Sequence, residues 1–335
     1  MNLSIGKLPH GKRNLITDVP GVRVGHATVD AGDCHTGVTV VLPPPENPFT
    51  DKLTAACCVF NGFGKTLGLV QVEELGQLET PIALTNTLNV GKVHDALVSY
   101  MIGLCEKDGV KLTSVNPVVC ECNDSRISDI ARRPVGEKEV LAAIASASED
   151  FAQGAVGAGR GTICYGMKGG IGSSSRRMEL DGKTYTMGVL VQSNYGASGD
   201  FRAACLPDNL AECDRGSIIL VAATDLPLSS RQLRRVLRRT SVGMARLGSY
   251  IGHGSGEIAV GFTTAKKEDC GSSFRTQTVL REDLMNLPFR AIGECAEEAI
   301  LQSMLHAAPD QGLDGAAIPT LKEFLAESGI GRSPR

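Results

Sequence analysis

A chain of 335 residues is long enough to bury a substantial core as one large α/β domain or two smaller ones. With 42% hydrophobic and 21% charged residues it is ordinarily globular, and a net charge of −3 lacks the basic field with which nucleic-acid or anionic-membrane surfaces are bound. A small molecule is therefore the expected partner, and 39 Gly with no Trp point to close backbone packing rather than aromatic anchoring.

Residues 1–14 carry Lys7, Lys12 and Arg13 without the apolar run of a signal peptide. No stretch of 18 apolar residues follows, so a soluble, cytoplasmic protein is expected. Short β-type runs come first: Val22 to Val24, Gly37 to Leu42, which Pro43-Pro44-Pro45 ends, and Ala55 to Phe60. The Asn61-Gly62-Phe63-Gly64-Lys65-Thr66 stretch hints at a phosphate loop, but Val59 stands where the motif needs its first Gly, and a tight turn near a site is the better reading. Pro81 to Thr85 reads as a strand, and Val93, Ala96, Leu97, Tyr100, Met101 and Leu104 recur at helical spacing up to Gly109. His94, on that helix, has no acidic or thiol partner at a useful spacing and reads as a surface or capping residue.

Val118 to Cys122 is a further short strand leading into the polar loop Asn123-Asp124-Ser125, and Glu137 to Ala147 reads as a helix. Residues 154–176 are the most glycine-biased part of the chain. Within them Gly170-Ile171-Gly172-Ser173-Ser174-Ser175 resembles the phosphate loop of small-metabolite kinases of the galactokinase and homoserine kinase superfamily, without the Pro that usually leads it. Tyr185 to Gln192 is a strand that delivers Asn194 to a loop.

A polar turn, Cys213-Asp214-Arg215-Gly216, then feeds Ser217 into the apolar run Ile218 to Ala223. Two readings fit: a turn entering a core strand, or a chain cut between Gly216 and Ser217 that leaves a hydroxyl and an α-amine on one residue. Ser229 or Ser230 caps a helix with Leu233, Val236, Leu237, Met244 and Leu247 inward and an arginine-rich outer face, read as solvated or subunit-facing. Gly252-His253-Gly254 opens an alternating strand in which Ser255 and Glu257, two apart, share a face if Gly256 is extended. Helices from Pro288 to His306 and from Leu321 to Glu327, with Gly329 beyond, complete the chain. No linker or repeat divides it, so residues 1–335 read as a single domain. The 11 Cys include no CxxC pair, the nearest approaches being Cys57-Cys58 and Cys120-Glu121-Cys122. Reduced buried thiols and no metal site are expected.

Seven segments together resemble the self-processing serine aminopeptidases of peptidase family S58, the L-aminopeptidase/D-esterase and β-peptidyl aminopeptidase family. They are ITDVPGVRVGHATV, NGFGKTLGLVQVEELGQLETPIALTNTLNVGKVHD, NPVVCECND, GTICYGMKGGIGSSSR, GVLVQSNYG, RGSIILVAATDLPL and GHGSGEIAVGF, in family order across nearly the whole chain. The resemblance implies a four-layer αββα sandwich, similar to the N-terminal-nucleophile hydrolases but with its own connectivity. It further implies autocatalytic cleavage after Gly216 into residues 1–216 and 217–335, and an aminopeptidase that uses no cofactor and assembles as a homo-oligomer, usually a tetramer of two-chain units. Its substrates would be small peptides, amides or esters. By the same resemblance Ser217 is the nucleophile and its amine the base, Asn194 the oxyanion donor, Ser255 and Glu257 the neighbouring hydroxyl and acid, and Glu121 and Asn123 the substrate pocket. Asn123 departs from the L-aminopeptidase/D-esterase branch, which is expected to carry a Tyr there.

Overall fold

The computed structural model describes residues 5–44, 46–201, 214–269 and 273–327. Cys213 and Gly329 lie outside the described residues. Strands β1 (Arg23–Ala31) and β2 (Cys34–Leu42) form a hairpin, β3 (Leu53–Gly62) follows, and α1 (Leu69–Leu75) leads to the two-residue β4 (Gln77–Leu78). Next come β5 (Ile82–Asn86), α2 (Val90–Lys107), β6 (Val118–Cys122) and α3 (Glu137–Ala145). A small hairpin of β7 (Ile163–Cys164) and β8 (Met167–Lys168) precedes the long strands β9 (Gly170–Leu180) and β10 (Lys183–Asn194). The chain closes with β11 (Arg215–Thr224), α4 (Ser230–Leu237), α5 (Thr240–Arg246), β12 (Gly254–Thr263), α6 (Asn286–Leu305) and α7 (Leu321–Glu327).

These strands build two principal sheets, one in the order β1-β2-β5-β6 and one in the order β4-β3-β12-β11-β10-β9. Helices α2 and α3 pack on the outer face of the first, and α4 and α6 on the outer face of the second with α5 against α6. One apolar core joins the facing sheets, drawing Val24, Val41 and Leu84 from one and Ile219, Val221 and Val260 from the other. A second lies between the larger sheet and its helices, with Ile218, Leu220, Ala259, Ile292 and Ala299. Strand alternation explains the division, because successive side chains of β11 enter opposite cores. The layering is helix, sheet, sheet, helix, as anticipated.

Three sequence expectations are corrected. The expected loop Gly170 to Ser175 is the start of β9, paired residue by residue with β10 and wholly buried. Its hydroxyls are committed inward, Ser173 Oγ donating to Val189 O at 2.7 Å and Ser174 Oγ to Cys295 O at 2.8 Å. Gly172 serves helix packing, since a Cβ there would sit 2.0 Å from Ala299 O on α6. With its N–H groups used in a ladder and its surface covered by a helix, this stretch offers no cradle for phosphate, and the kinase reading falls. Second, the helix expected from Ser229 to Leu247 is two helices. Ser229 Oγ caps α4 through Gln232 N at 3.2 Å, and Thr240 Oγ1 donates to Leu237 O at 2.8 Å where α4 ends. Gly243 then lets α5 approach α6 closely, since a Cβ there would lie 2.5 Å from Glu297 N. Third, Ser217 lies within β11 rather than at its threshold, because β11 starts at Arg215, while Asn194 ends β10 at a loop as expected and pairs with Ser217.

The arginines of α4 are engaged on the surface. Arg231 and Arg235 pair with Glu282, and Arg234 pairs with Glu73. All eight described cysteines are free and buried. Among the described residues no helix is long and apolar enough to cross a membrane.

Candidate active site

Strand β11 lies between β10, which it pairs antiparallel, and β12, which it pairs parallel. The register sets Ser217 opposite Asn194 on one side and Gly256 on the other. Cross-strand partners share a face, so the Ser217 and Asn194 side chains project together, away from the helices. There they line a cavity of about 720 Å³, whose wall also holds Glu121, Asn123, Phe63 and Ile163. Lys65 and Gly161 contribute as well, so the turn after Asn61 and the glycine-rich stretch before β9 both border the site.

Asn194 is held in one orientation. Its Oδ1 accepts from Ile163 N at 2.9 Å, which leaves the amide Nδ2 as the group available to the cavity. Ser217 is nearly buried, and its Oγ donates to Gly216 O at 2.6 Å, so the hydroxyl rests against the carbonyl of the preceding peptide bond. A Cβ on Gly216 would lie 2.0 Å from Asn194 O, and only glycine fits at that point of the ladder.

Ser255 and Glu257 share a face, as their spacing predicted, but it is not the cavity face. They pair in register with Gly216 and Ile218, on the side that faces the helices, so they stand behind the Ser217 side chain. Both are fully buried, and neither the Ser255 hydroxyl nor either Glu257 oxygen makes a hydrogen bond of ordinary geometry. Burial pushes the Glu257 carboxyl up to about 7; the nearby Ser255 hydroxyl pulls it back and the charge of Asp214 adds to the rise. Buried polar groups without partners are rare enough to require a reason.

At the opposite wall Glu121 is buried at the end of β6, its Oε1 accepting from Lys65 N at 2.9 Å and its Oε2 from the Thr87 hydroxyl. Burial raises its pKa, and these two donors together with the Lys65 charge offset part of the rise. Asn123 is exposed at the cavity rim, where its Oδ1 accepts from Ser125 N at 3.0 Å and so shapes the loop. His94 lies on α2 and does not line the cavity. Among the described residues no group of His, Cys, Asp and Glu is arranged to hold a metal ion.

Sequence reasoning missed three contributors: Thr87 and the Lys65 and Ile163 N–H groups. Backbone donors leave no trace in residue identity. Thr87 lies far from Glu121 in sequence.

The description of peptidase family S58 matches residues 14–318. The beta-peptidyl aminopeptidase BapA of Sphingosinicella xenopeptidilytica is 35% identical over an alignment covering 92% of this chain and 84% of that protein. The crystal structure of the PH0078 protein from Pyrococcus horikoshii OT3 superposes with a TM-score of 0.89 at 42% identity, covering 97% of this chain and 96% of that one. The L-aminopeptidase D-Ala-esterase/amidase from Ochrobactrum anthropi, described as a variant of the Ntn hydrolase fold, gives 0.86 at 30% identity and 96% coverage of each chain.

Proposed function

Because the chain belongs to peptidase family S58 and is thus an aminopeptidase-type hydrolase, we propose that it cuts itself between Gly216 and Ser217 and then releases N-terminal residues from small peptides, amides and esters. One observation carries this reading: a buried acid and a buried hydroxyl, neither held by a hydrogen bond of ordinary geometry, flank in register a nitrogen that becomes an amine only when that bond is cut. The freed amine is the partner that Ser255 and Glu257 lack. Standing on the far face from the Ser217 side chain, they can meet its nitrogen without obstructing its hydroxyl.

In self-cleavage the Ser217 oxygen forms a bond to the Gly216 carbonyl carbon, the C–N bond breaks, and the hydroxyl proton passes to the leaving nitrogen. Water then hydrolyses the resulting ester to a Gly216 carboxylate and restores the Ser217 hydroxyl. In turnover the same oxygen attacks the carbonyl of the substrate's first residue while the α-amine takes its proton. That amine has a reference pKa of roughly 7.7–8.0, close to working pH, so it accepts a proton without large perturbation. The proton goes on to the leaving amine, and water releases the acid from Ser217. Asn194 Nδ2 donates to the developing oxyanion. Glu121 holds the substrate ammonium by a charge-assisted bond, with Asn123 at the rim.

The names of the relatives favour β-aminoacyl substrates, with L- and D-α-aminoacyl groups as the other candidates. The cut units are further proposed to associate as homo-oligomers through the apolar surface of α1 and β3, where Val70 is 85%, Leu75 59% and Val59 54% exposed. The deciding measurement is an intact mass and denaturing gel of the purified protein, followed by hydrolysis of matched L-, D- and β-aminoacyl p-nitroanilides. Two chains splitting after Gly216, together with turnover of one series, are expected. An uncut chain with full amidase activity would sink the proposal. Ser217→Ala is expected to remain a single chain and to be inactive.

A further inference from the structure

Asp214 belongs to none of the roles assigned above, yet it is among the most constrained acids in the structure. It lies two residues ahead of Gly216, is 2% exposed, and its two carboxylate oxygens reach separate parts of the chain. Oδ1 accepts from Gly196 N at 2.9 Å, in the turn that follows Asn194, and Oδ2 accepts from Gly252 N at 3.2 Å, in the turn that leads to Ser255. Its own N–H donates to the Tyr250 hydroxyl at 3.1 Å. Both partner glycines are required by space. A Cβ on Gly196, whose φ is +88°, would fall 2.4 Å from the Tyr165 ring, and one on Gly252 would fall 2.6 Å from Asp214 Cβ. The chain is thus locked to both neighbouring strand ends immediately before the bond against which the Ser217 hydroxyl rests.

Resting on the self-cleavage reading, we infer that Asp214 is the positioning residue for that cleavage. It holds the Gly216 carbonyl in line with the Ser217 hydroxyl by tying the segment ahead of it to the two turns that carry Asn194 and Ser255. The physical need is plain. A peptide bond attacked by its own following side chain must be kept near one geometry, and a segment free to slide along its neighbours loses that alignment. Two hydrogen bonds to one carboxyl group, one buried and one part-buried, supply the restraint at two points. Once the bond is cut, Asp214 and Ser217 are on different chains. The strand from Ile218 onward is still held by β10 and β12, so turnover by the mature site does not need the tether.

The test compares the full chain with its Asp214→Asn and Asp214→Ala variants. It follows the uncut fraction over time after purification, and it measures p-nitroanilide turnover per free Ser217 N-terminus, counted by N-terminal labelling. Asparagine keeps one acceptor oxygen and the side-chain volume, so it decides the matter if the alanine variant does not fold. Self-cleavage is expected to slow about tenfold or more in Asp214→Asn, with kcat per cut site within about threefold of the parent. Cleavage at the parent rate in Asp214→Asn would overturn the inference, as would cleavage and turnover per cut site falling together, the mark of a merely structural residue. A parent protein that never cuts itself would instead overturn the self-cleavage reading.

Discussion

On the proposed mechanism Asn194 and Glu121 divide the work of binding and of catalysis, and the division is measurable. Asn194 Nδ2 serves a charge that exists only in the transition state. Asn194→Ala is therefore expected to lower kcat by about 10²–10³ with little change in KM for a p-nitroanilide substrate. Glu121 meets an ammonium present before and during reaction, so Glu121→Gln is expected to raise KM by roughly 10- to 100-fold while kcat moves far less. A fall confined to kcat would remove Glu121 from ammonium binding. Glu257 behaves differently in the uncut and cut proteins. In uncut Ser217→Ala its pKa is raised from 4.5 to about 7, so between those values the folded state holds more protons than the unfolded state. Stability from this group is complete below pH 4.5 and is lost as pH rises toward 7. Glu257→Gln on the Ser217→Ala background is expected to flatten that decline in denaturant titrations across the window. If the bond is cut as proposed, the new ammonium beside Glu257 is expected to weaken the same dependence.

At the scale of elements, the placement of the nucleophile follows from β11. An apolar strand with polar residues at its two ends, paired on both sides, would keep a new terminus fixed after the proposed cleavage. The glycines of β9, which pairs with β10 on the side away from β11, do related work. Gly172 brings β9 against the backbone of α6, and through its pairing β9 supports β10, the strand that carries Asn194. Gly172→Ala must push Ala299 away, and it is expected to cost about 1–3 kcal/mol of stability in a chemical-denaturation experiment. A neutral outcome would mean that α6 can retreat from the sheet. The glycine content was thus correctly read as a sign of close backbone packing, while the resemblance of this stretch to a phosphate loop failed. Residue identity alone cannot tell a strand under a helix from a loop at a helix start, because small residues suit both.

For the molecule as a whole, the two sheets have separate tasks. The larger carries Ser217, Asn194, Ser255 and Glu257, and the smaller brings Glu121 from the end of β6 to the opposite wall. The cavity exists only when the two pack face to face. The apolar residues of α1 and β3 remain uncovered in the single chain, and the processed protein is expected to sediment as a multimer of two-chain units. Val70→Asp and Leu75→Asp together are expected to shift it toward the single unit without abolishing cleavage, and an unchanged sedimentation coefficient would exclude this face as the contact.

Sequence by itself determined most of the strands and helices and, through its resemblance to peptidase family S58, the αββα class and the choice of Ser217, Asn194, Ser255, Glu257 and Glu121 as the residues to watch. Apolar periodicity, turn residues and motif order are local properties that survive without coordinates. Only the tertiary structure decided which of these residues meet. Register between β10, β11 and β12 puts Asn194 beside the Ser217 hydroxyl and leaves Ser255 and Glu257 on the opposite face, behind its nitrogen. That distinction depends on strand pairing between residues distant in sequence, and a shift of one position would reverse it.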